Sequence, residues 1–194
     1  FLLGEEHGIA ENPKLAAALF EALTSSGYNK LAIEISPTMA DKLDQAILQG
    51  GISGLRSLFA EPGGEPEFFG MQEEGEMLVA IRNSVADGEP MFWGVDYEVL
   101  GDRQLIHELE EMEKPADAKA ALSILATASK LSWSKHSETG NPAFIFSFSG
   151  DPDLVRAIRN VWPDREARAS QILDTLEETL TINAMFLEGR NWAS

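Results

Sequence analysis

Three short apolar runs limit what this chain can fold into. Phe1-Leu2-Leu3, Lys30-Leu31-Ala32-Ile33-Glu34-Ile35 and Pro90-Met91-Phe92-Trp93-Gly94-Val95-Asp96 are too short for ordinary helices, and segments of helical spacing separate them. Parallel strands joined by helices bury both faces and read as near-continuous apolar runs. The expectation is therefore an α/β fold. It has three layers, a mostly parallel sheet with helices on both faces, and a helix-rich insertion after the third strand.

The intervening segments carry their own start and stop signals. A helix is expected over about residues 12–26, with Pro13 in the first turn, Leu15, Leu19, Ala22 and Leu23 on one face, and Gly27 as its stop. Ser36-Pro37 opens a second helix through about Leu48, Gly50-Gly51 breaks it, and a short helix through Phe59 gives way to the loop Pro62-Gly63-Gly64-Glu65-Pro66. Helical spacing returns over 72–87, 103–113, 115–134, 151–161 and 164–188. Residues 137–149 are ambiguous, because Phe144-Ile145-Phe146-Ser147-Phe148 alternates like a strand and also suits a packed loop. The whole of 1–194 is expected to form a single domain, mainly helical over about 100–190. Three strands are few for this many helices, and the chain opens without Met inside a strand-like run; a truncated domain, cut at both ends and with more strands following, is expected.

Charge and composition narrow the function classes. Fifteen basic against 32 acidic residues give a net charge of −17, which repels phosphate backbones and anionic membranes, so no nucleic-acid partner is expected. No apolar run reaches the roughly 18 to 20 residues that span a bilayer, so no membrane insertion is expected. With no cysteine, any metal would sit on His, Asp or Glu. Localisation stays open between the cytoplasm and export with a cleaved signal.

In open parallel sheets ligands bind at the carboxyl ends of the strands. Glu5, His7, Glu34 and Asp96 fall there. Glu34 stands among Leu31, Ile33 and Ile35, where an ionised carboxylate needs a partner; it is either a site residue or half of a buried ion pair tethering a loop. Gly4-Glu5-Glu6-His7-Gly8 sets a carboxylate and an imidazole between two glycines, and a carboxylate beside a histidine fixes its tautomer and supports general-base work. His107 and His136 read as surface residues. Phe144, Phe146 and Phe148 suit core packing better than a pocket. There is no phosphate-binding glycine loop, nucleophile elbow or zinc helix.

Four segments together resemble a known family: Leu3-Gly4-Glu5-Glu6-His7-Gly8, Leu31-Ala32-Ile33-Glu34, the helix with Ile81-Arg82-Asn83, and Phe92-Trp93-Gly94-Val95-Asp96. A late Glu188-Gly189-Arg190-Asn191 adds to them. In order and spacing they are similar to the erythromycin-esterase-like proteins, which group with the ChaN haem-binding and Tiki protease proteins. The resemblance implies a hydrolase of an ester or related small molecule, in which His7 activates water, Glu5 and Glu34 position it, and Asp96 lines the cleft. It makes Arg82 and Arg190 candidates, on the substrate-binding side of the site, for orienting carboxylates or holding an anionic intermediate. An esterase of this kind requires no cofactor. The short Glu5-Glu6-His7 spacing matches the ChaN and Tiki relatives, which keeps a haem- or metal-binding protein open as the alternative, beside a non-catalytic domain of the same fold.

Overall fold

The computed structural model describes residues 2–4, 8–67, 69–85 and 91–187. The chain forms two compact units, one up to Asp96 and the other from Tyr97 onward.

The first unit contains α1 (Glu11–Thr24), β1 (Leu31–Ile33), α2 (Pro37–Phe59), α3 (Gln72–Asn83) and β2 (Phe92–Gly94). The start of α2 is locally encoded. Ser36 Oγ accepts a hydrogen bond from the Met39 N–H at 3.1 Å, and Pro37 takes the first-turn position where its missing N–H costs nothing. Midway, Gly51 adopts φ 55°, ψ −136° and kinks the helix, at the glycine pair where the sequence predicts a break. The kink survives because apolar burial outweighs it. Leu43 and Leu55 on α2 pack with Leu78 and Ile81 of α3, all at most 1% exposed, and each such side chain contributes roughly 1.5–3 kcal/mol. Gly51→Ala places a Cβ in a backbone region that side chains avoid. A loss of about 1–3 kcal/mol is expected, measured as a lower urea midpoint.

β1 and β2 pair in parallel, Leu31 opposite Phe92, Ala32 opposite Trp93 and Ile33 opposite Gly94. Pairing continues beyond the strands, since the Val95 N–H donates to Ile33 O at 3.1 Å and the Asp96 N–H to Ile35 O at 3.0 Å. Ile33 and Phe92 enter the core with Met39 and Leu43, and α2 packs against β2.

The second unit contains α4 (Asp102–Glu111), α5 (Ala116–Thr139), a 3-10 turn (Pro142–Phe144), α6 (Phe146–Ser149), α7 (Pro152–Val161) and α8 (Ala167–Leu187). Ala118, Leu122 and Leu125 form the inward stripe of α5, packed in one core with Leu105, Leu109, Phe146, Ile158, Leu173 and Leu176. Asp151 caps α7 by accepting the Asp153 N–H at 2.9 Å, with Pro152 at the first helical position. Phe146 is 1% exposed and so belongs to the core, and the strand-like reading of 144–148 gives way to a 3-10 turn and one helical turn.

This architecture corrects the expected fold class. The described residues are mostly helical and hold one two-stranded parallel sheet, not a three-layer sandwich with a mostly parallel sheet. Residues 2–4 join no strand, and Leu2 is fully exposed. A three-residue apolar run specifies no period, so its burial depends wholly on what packs against it. Nor is the sheet covered on both faces: Ala32 is exposed, as are Trp93 at 56% and Val95 at 67%.

Candidate functional site

Parallel pairing puts the carboxyl ends of β1 and β2 at one edge of the sheet. Glu34 follows β1 directly at that edge, and Asp96 lies two residues beyond the end of β2. The amino end of α2 closes the same edge, since Ser36 both follows β1 and caps the helix. Ser36 Oγ and Thr38 Oγ1 lie 3.0 Å apart there, both buried. This approach of α2 to β2 depends on Gly94. A Cβ at that position would lie 2.5 Å from the Pro37 nitrogen and closer still to the Ser36 carbonyl group.

The two described strand-end carboxylates differ in environment. Asp96 is half-buried and its backbone is held by Ile35 O. Glu34 is exposed, which corrects the expectation of a carboxylate enclosed by apolar neighbours. Leu31, Ile33 and Ile35 surround it in sequence, yet Ile33 and Ile35 turn into the core, 5% and 4% exposed, while Ala32 and Glu34 turn outward. Glu34 therefore needs no buried counter-ion. His7, Glu5 and Arg190 lie outside the described residues.

Arg82 is buried on α3. It is 4% exposed, and its Nε approaches Asp44 Oδ1 at 3.0 Å inside the core of the first unit. The contact is coulombic in character, because the N–H is not aligned for a hydrogen bond. Asp44 Oδ2 also accepts the Met91 N–H at 3.3 Å, just ahead of β2. The pair thus ties α2, α3 and the entry to β2 together. Asp44 was legible as an anomaly, since it interrupts the apolar face formed by Ala40, Leu43 and Ile47. A charge on such a stripe asks for a partner, and Arg82, next to Ile81 and four residues after Leu78, is the matching anomaly on α3.

The other histidines lie in the second unit. His107 is exposed, with Nδ1 4.0 Å from Glu110 Oε2. His136 stands edge-on to Trp133, and its Nδ1 is 3.0 Å from Asn141 O at the end of α5. Among the described residues, no three His, Asp or Glu side chains gather where they could hold a metal ion. No described helix is long and apolar enough to cross a membrane.

Compared with known proteins, the chain matches no family model, and no curated protein and no solved structure is significantly similar to it.

Proposed function

We propose that the carboxyl edge of the β1–β2 sheet is a hydrolytic site for a small ester. The observation that supports this reading is the parallel register, which brings Glu34 and Asp96 out at one edge beside the capped start of α2. His7 is assigned the general-base role from the sequence motif, with Glu5 and Glu34 orienting it and Arg190 as a candidate to hold anionic charge. In this scheme His7 takes a proton from water as its oxygen attacks the ester carbonyl carbon. The tetrahedral intermediate then expels the alkoxide, which receives that proton from the imidazolium. The products are one carboxylic acid and one alcohol.

A panel of small carboxylic esters offered to the purified protein provides the test. Turnover above buffer is expected, falling on the acidic side of the profile as the general base becomes protonated. His7→Ala is expected to lower kcat by at least about a hundredfold, and Glu34→Gln by less. Failure to cleave any ester, or undiminished turnover by His7→Ala, would sink the proposal. A haemin titration separates the alternative: a His7-dependent shift of the haem absorption band without ester cleavage would replace the hydrolytic reading.

A further inference from the structure

We propose that Asp102, Ser129 and Trp133 form a pH-responsive clasp that tightens α4 against α5 as the solution is acidified. Asp102 opens α4 and is 2% exposed, and Ser129, one helical turn beyond Leu125 on the inward stripe of α5, is equally buried. The Ser129 hydroxyl donates to Asp102 Oδ2 at 2.5 Å. The Trp133 Nε1–H donates to both carboxylate oxygens, at 3.0 and 3.2 Å. One carboxyl group therefore bridges two successive turns of the neighbouring helix.

No cation faces this carboxylate as a salt-bridge partner among the described residues. On α4, the adjacent Arg103 lays its guanidinium over the Trp133 ring, 3.9 Å from the centroid, and acts on Asp102 through its charge and a hydrogen bond from its backbone, not as a side-chain ion pair. At the same helix start the buried Glu98 accepts the Gly101 N–H at 2.7 Å, a second acidic group and not a cation. From α5, Asp102 meets only the neutral donors Ser129 and Trp133, with His136 beyond them against the edge of the indole. Arg168, on α8, is engaged with Glu108 at 2.6 Å. Burial without a paired cation disfavours the ionised form. The carboxyl is pushed up from 3.8 to about 6, burial raising it and the hydrogen bonds from Ser129 and Trp133 opposing that rise.

A raised carboxyl stabilises the folded state most where it is protonated. The contribution is fully present below the unfolded value of 3.8, and it is lost as pH rises through about 6. The unfolded chain holds fewer protons than the folded chain throughout that window, so stability falls with rising pH. Serine and tryptophan serve both states, because Ser129 can accept from a protonated carboxyl while Trp133 still donates.

Hydrogen exchange on the full chain, corrected for intrinsic rates and followed from pH 4 to 7.5, tests the clasp through peptides of α4 and α5. Protection in the wild type is expected to fall roughly a hundredfold more than in Asp102→Asn, which keeps a neutral side chain at every pH. Ser129→Ala removes a bond that favours ionisation, so it is expected to move the midpoint upward, whereas a purely structural loss would lower protection equally at all pH values. A ¹³C titration of the Asp102 carboxyl in the wild type is independent of any variant's folding, and a midpoint near 6 is expected. A midpoint below 5, or parallel exchange profiles for wild type and Asp102→Asn, overturns the proposal.

Discussion

Gly94→Ala is expected to destabilise the first unit by about 3 kcal/mol or more, near the upper end for overpacking. The new methyl would collide with the Ser36 carbonyl group and the Pro37 nitrogen, and these are backbone atoms that no rotamer change can remove. Ser36 is also fixed by its own bond to the Met39 N–H, so relief requires the amino end of α2 to lift from β2. That movement uncovers Met39 and Ala40, which are 1% and 0% exposed. Urea unfolding followed by far-UV circular dichroism should show a lower midpoint with an early loss of helix signal. Ester turnover, if carried by this edge, should fall with it. A midpoint within about 0.5 kcal/mol of wild type, the range of an ordinary surface change, would show that α2 does not press on Gly94.

The second large effect concerns Arg82 and Asp44. Arg82→Met is expected to cost about 3–5 kcal/mol, because it leaves the Asp44 carboxylate, 4% exposed, without its cation. Asp44→Asn in the same chain should restore most of that loss. The asparagine carbonyl can still accept the Met91 N–H, and the double variant buries no charge. Equilibrium unfolding of the two single variants and the double measures the coupling directly. Additive losses would show that the two side chains do not depend on each other. The same experiment separates a structural role for Arg82 from a role in substrate binding, since a substrate-binding arginine would not be rescued from α2.

The helices are legible in the sequence because their determinants are local. Ser36-Pro37 caps and starts α2, Asp151-Pro152 does the same for α7, and Gly50-Gly51 marks the kink, all through atoms within a few residues of one another. The apolar runs that hold β1 and β2 are visible in the sequence as well, and the parallel register of these two strands puts Glu34 and Asp96 at one edge. The number of strands is a different matter. Phe1-Leu2-Leu3 and Phe144–Phe148 are as apolar as real strands, yet residues 2–4 stay unpaired and Phe146 starts a short helix in a helical core. Short apolar runs carry the demand for burial but not the identity of the partner that satisfies it.

The site divides along the same line. Glu34, Asp96 and the Gly4-Glu5-Glu6-His7-Gly8 motif belong to the chain as written, and they supply the residues of the hydrolytic proposal. Orientation and partnership come only from packing. Alternation about the strand turns Ile33 and Ile35 inward and leaves Glu34 in solvent. A contact between two helices commits Arg82 to Asp44, and another buries Asp102 against Ser129. Each joins groups on separate elements, so none can be read from the periodicity of either element alone. The local code names the charged groups; the tertiary fold decides which are desolvated, and desolvation decides what those charges cost and what they can do.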